Sequence, residues 1–67
     1  MTLAEKFSIN LTRIRAQKKL TQEQLAAKAG ISVSYVSMLQ RGQRSPPLAT
    51  LETIAAALGV APVALLA

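Results

Sequence analysis

The sequence predicts an all-α domain of five short helices, and three observations carry that reading. Apolar residues recur at three- and four-residue spacing along the chain. Thr2 with Glu5 and Thr21 with Gln24 repeat the Thr-x-x-Glu/Gln signature of a helix start. Gly30, Gly42 and Gly59 stand where the periodic runs stop. At 67 residues the chain has the size of one domain, residues 1–67, with no internal repeat, low-complexity run or boundary. A chain this short buries only about 60% of its unfolded surface, so its helices must pack efficiently or find a partner. The apolar fraction of 51% is ample for one core, and with Phe7 and Tyr35 the only aromatics that core is aliphatic.

The first helix is expected to start at residue 2 or 3. Leu3, Phe7, Leu11 and Ile14 form its apolar stripe, and it ends near Lys18. Arg13, Gln17, Lys18 and Lys19 crowd that end, where cations suit the negative pole of the helix dipole. A second helix runs from Gln22 to Ala29 and stops at Gly30, a natural left-handed position. Ser32 then stands ready to cap a third. The string ISVSY at 31–35 alternates apolar and polar and also reads as a strand. The alternation fails at Val36, and a lone strand would have no partner, so the helix is preferred. Arg41–Pro47 is a loop. Leu48, Leu51, Ile54, Ala55 and Leu58 stripe a fourth helix closed by Gly59. A final helical segment at Pro62–Leu66 starts with proline and offers Val63, Leu65 and Leu66 for burial.

Cysteine, histidine and aspartate are absent, and Glu5, Glu23 and Glu52 are the only side-chain carboxylates. Hydrolytic triads need an imidazole, and metal or glycosidase sites need clustered ligands. The expectation is therefore no enzyme, no metal site and no cofactor. The N-terminus lacks the apolar stretch of a signal peptide. The apolar tail from Ile54 to Ala67 falls short of the roughly 20 residues of a membrane span and is broken by Gly59 and Pro62. Eight basic residues against three acidic give a net charge of +5 and a pI near 10.5. That balance calls for a polyanion, either nucleic acid or an anionic membrane.

The stretch 22–41 separates these partners. Leu25, Ala26 and Ala29 before Gly30, and Ile31, Val36 and Leu39 after it, are in register for two helices crossing at a tight turn. Ala26 is small where the helices cross, Gly30 tolerates positive φ, and Val36 returns an apolar contact. Such a pair commonly delivers its second helix into the major groove of DNA. Subtracting the buried positions leaves Val33, Ser34, Ser37 and Met38 as candidates for contact with base edges and thymine methyls. Gln22, Ser32, Tyr35, Arg41, Gln43 and Arg44 surround them as candidates for the phosphate backbone. A merely solvated serine-rich face, with Met38 as core filler, stands beside this reading.

The strings IRAQKKLTQEQLAAKAGIS, VSMLQRGQRSP and LETIAAALGV resemble the Cro/C1-type helix-turn-helix family, also called the XRE family, from about Leu11 to Leu66. The resemblance implies a compact five-helix, lambda-repressor-like domain with the helix-turn-helix as helices two and three. It further implies a transcriptional regulator, a repressor or controller, that binds double-stranded DNA operators as a dimer. By position Gln22 resembles the family's phosphate-contacting glutamine. Val33, Ser34 and Met38 fall on its base-contacting positions with Ser37 beside them, and Arg41, Gln43 and Arg44 on its backbone-contacting loop. Where the family often has a glutamate paired with a basic residue, this chain has Gln40 opposite Arg15, so the ion pair becomes a charged–neutral hydrogen bond. Pro47 and Ala61 replace two customary helix caps. The apolar C-terminus, with Val63 and Leu66, is either the homodimer surface or the closure of the monomer core, and both readings stand. The expected location is the cytoplasm of a prokaryote, at the nucleoid, with the gene bacterial or phage-borne. The alternative from another class is a protein-interaction module, such as an antitoxin-like subunit.

Overall fold

A computed structural model describes residues 1–67. Four α-helices follow one another: α1 (Leu3–Gln17), α2 (Gln22–Ala29), α3 (Val33–Gln40) and α4 (Leu48–Leu58). A 3-10 turn, Pro62–Leu65, closes the chain. No strand forms, and Val33–Tyr35 of ISVSY open α3 after the cap at Ser32.

The helix starts follow the capping signatures. Thr2 Oγ1 accepts from the Glu5 backbone N–H at 3.1 Å, and Glu5 Oε1 accepts from the Thr2 N–H at 2.9 Å. The Thr2 backbone N–H, and then its hydroxyl, hold the Glu5 carboxyl below its ordinary value. Thr21 and Gln24 repeat the reciprocal pair at 3.0 and 2.9 Å, opening α2. Ser32 Oγ accepts from the Tyr35 N–H at 3.0 Å and opens α3. Pro47 and Ala61 make no side-chain cap, as their chemistry dictates.

All four helices stop by one device, in which two backbone N–H groups bond back across a left-handed residue. At the end of α2, Gly30 has φ +70° and Ile31 N–H reaches Ala26 O at 3.0 Å. Gly42 and Gly59 end α3 and α4 in the same way. At α1 the left-handed position falls to Lys19, φ +58°, with Leu20 N–H bonded to Arg15 O at 3.1 Å. A lysine there costs about 1–2 kcal/mol relative to a glycine.

Phe7, Leu11 and Ile14 of α1, Leu25, Ala26 and Ala29 of α2, and Val36 and Leu39 of α3 meet Leu51, Ile54, Ala55 and Leu58 of α4 in one aliphatic core. Two members of the expected stripes lie outside it. Leu3 is 64% exposed and Leu48 78% exposed. Each is the first residue of its helix, where the stripe runs past the edge of the core. Together with Phe7, Pro46, Leu51 and Leu66 they line a shallow apolar groove of about 210 Å³.

The expected fifth helix is corrected to a 3-10 turn. Ala64 N–H bonds to Ala61 O and Leu66 N–H to Val63 O, the three-residue spacing of that geometry. The segment has no side-chain cap, so a longer helix has little to hold it. The tighter turn aims Leu65 wholly into the core, while Val63 stays 70% exposed and Leu66 half-buried. Asn10, the one buried polar residue, fastens this end: its Nδ2 donates to Leu65 O at 3.1 Å and to Ala67 O at 3.0 Å. Nothing in the periodicity announces that role.

Candidate nucleic-acid interface

The helix pair that carries the site is fixed from inside. Ala26 is buried where α2 meets α3, and an isoleucine- or leucine-sized side chain there would hold the helices apart. Gly30 supplies the left-handed turn; a Cβ built on it would meet nothing within 4 Å, so the constraint is backbone conformation alone. Val36 and Leu39 are wholly buried and anchor one side of α3. Ile31 is half-buried and packs against the same cluster.

With that side fixed, helical geometry turns Val33, Ser34, Ser37 and Met38 to the opposite side of α3. Val33 and Ser34 are exposed; Ser37 and Met38 are half-buried. All four base-contact candidates therefore share one stripe, with its N-terminal end more open than its C-terminal end. Ser32 is exposed, and its oxygen is already occupied as the cap, which leaves its hydroxyl hydrogen free to donate. Tyr35 sits at the flank, half-buried, with its ring against the core. Gln22 is half-buried in the first turn of α2, beside the unpaired N–H groups of that helix end. Arg41, Gln43 and Arg44 are exposed directly after α3.

The electrostatics suit an anion. No acidic residue lies in the first turn of α3, and Arg41 stands at its C-terminal end. Glu23, in the first turn of α2, is the one carboxylate adjacent to a candidate. No group of three metal-ligating side chains comes together anywhere, and no helix is long and apolar enough to cross a membrane.

A feature only half visible in the sequence lies behind α3. Arg15 Nε donates to Gln40 Oε1 at 2.6 Å, the charged–neutral bond that the residue pair implied. The same guanidinium also donates from Nη1 to Leu20 O at 2.6 Å, a contact to the α1–α2 linker that no spacing signals.

Residues 11–65 match a family model described as helix-turn-helix. The chain is 48% identical over 56 residues to an uncharacterized HTH-type transcriptional regulator of Sinorhizobium fredii, covering 84% of this chain and 73% of that protein. It is 51% identical over 47 residues to the immunity repressor protein of Bacillus phage phi105, covering 70% of this chain and only 33% of the phage protein. Among solved structures, it is similar to the restriction-modification controller protein C.AhdI from Aeromonas hydrophila. That match has a TM-score of 0.87 at 40% identity, over 90% of this chain and 91% of that one.

Proposed function

The chain belongs to the helix-turn-helix family of DNA-binding transcriptional regulators, which are not enzymes, and on that premise we propose that it binds double-stranded DNA sequence-specifically with α3 in the major groove. The observation that carries this reading is the stripe Val33, Ser34, Ser37 and Met38, opposite the buried Val36 and Leu39. Its hydroxyls donate or accept at base edges, and Val33 and Met38 meet thymine methyls. Gln22, Ser32 and Tyr35 on one side, and Arg41, Gln43 and Arg44 on the other, hold the phosphates that set the register of the helix. Residues 1–67 act as one DNA-binding unit, of repressor or controller type, in the cytoplasm at the nucleoid.

The working form is a homodimer on a pseudo-palindromic operator, joined through Val63 and Leu66. Leu65 takes the core-closing role within each monomer, and the exposure of Val63 leaves it free for a partner. Bodies of 28 × 22 × 21 Å set side by side can place their third helices one turn of DNA, about 34 Å, apart.

Arg41→Ala and Arg44→Ala test the phosphate assignment. Each is expected to weaken binding to every duplex alike, and to flatten the dependence of log K on log salt by about 0.9. The checking measurement is a fluorescence-anisotropy titration across salt concentrations. An unchanged slope in both variants would remove these residues from the backbone contacts.

A further inference from the structure

One side-chain hydrogen bond ties α3 to another helix, and it is the bond from Arg15 Nε to Gln40 Oε1. The remaining attachment of α3 is apolar, through Val36 and Leu39. Arg15 lies in the last turn of α1, and its second arm holds Leu20 O. A single guanidinium therefore joins the end of α1, the linker to α2 and the end of α3. Gln40 immediately precedes Arg41, so the clamp also sets where the exposed Arg41–Arg44 loop begins.

The chemistry of the acceptor matters here. A carboxylate would accept the same bond and cancel the charge, whereas an amide oxygen accepts it and leaves the charge in place. Two helix C-termini, those of α1 and α3, supply the partial negative charge that lets the cation sit half-buried without a counter-ion. Glu5, Glu23 and Glu52 are committed elsewhere, in the first turns of α1 and α2 and on α4.

We propose that Arg15 and Gln40 form a charge-retaining clamp: Arg15 positions the C-terminal end of α3 through Gln40 Oε1, and the neutral acceptor leaves the guanidinium charge to attract the DNA backbone. Arg15 is thus a positioning residue, and Gln40 sets the balance between stability and non-specific affinity. The inference rests on the DNA-binding reading above.

The test compares the protein with Gln40→Glu and Gln40→Met, on a fluorescein-labelled duplex of random sequence, across salt concentrations and alongside thermal melts. Gln40→Glu is expected to melt at or above the parent and to bind roughly 3–10-fold more weakly at low salt, the gap closing as salt rises. Gln40→Met, which removes the acceptor without altering charge, is expected to melt lower and to lose affinity by a similar factor at every salt concentration, because the end of α3 is no longer held while the guanidinium charge remains. Equal affinity of parent and Gln40→Glu at the lowest salt, or a gap that ignores salt, would overturn the clamp's electrostatic role while leaving DNA binding intact. A parent protein that binds no duplex at all would overturn both.

Discussion

Leu39→Ala is expected to lower the melting temperature by about 10–30 °C and to leave a large unfolded fraction under ordinary conditions. Leu39 is wholly buried on α3, the helix that packs against both α1 and α2. Truncating such a leucine costs about 2–5 kcal/mol in lost transfer energy and residual cavity. A domain of this length holds only about 3–10 kcal/mol in total. The loss is therefore comparable with the whole stability, and DNA binding is expected to disappear with the fold. A melt followed by circular dichroism checks it; a shift of only a few degrees would mean that the core around α3 collapses to fill the space.

Ser34→Glu is expected to have the opposite profile. Ser34 is exposed at the second position of α3 and makes no hydrogen bond through its side chain. A carboxylate in a helix's first turn is favoured by the dipole, so stability is expected to hold or rise by about 0.3–1 kcal/mol. In the proposed complex the same carboxylate faces the edges of bases between two rows of phosphates. Like-charge placement of this kind costs several kcal/mol, and affinity is expected to fall roughly 100–1000-fold. Paired melts and duplex titrations on this variant and the parent check both halves. A variant that binds as the parent does would place the N-terminal end of α3 outside the groove.

The two substitutions differ because the inner and outer sides of α3 are not equally legible. The inner side follows from spacing: the reciprocal Thr21–Gln24 cap, the left-handed Gly30 and the buried Val36 and Leu39 each leave a mark in the sequence. The outer side follows by subtraction, which yields the stripe but not the degree of burial. Ser37 and Met38 are half-buried, a property of tertiary packing that spacing does not carry.

Elsewhere the limits have equally definite causes. A stripe at helical spacing gives direction and not reach, so spacing alone assigns Leu3 and Leu48 to the core although the first turn of each helix overruns it. The Lys19 turn carries no glycine to announce it, and it forms because the linker must return Leu20 toward Arg15. Asn10 is an ordinary polar residue on α1 until the chain end folds back over it, 55 residues later. The last segment shows its apolar pattern in the sequence, but whether four residues wind as α or 3-10 depends on missing caps and on the depth Leu65 must reach.

Selection of bound sequences from a random duplex library tests sequence-specific binding by α3, because every possible target is present at the outset. The expected result is enrichment of a defined motif, arranged as two related half-sites with centres about 34 Å apart, one turn of DNA. Recovery of a pool indistinguishable from the input at every salt concentration would contradict it, and would reduce the basic surface to non-specific attraction.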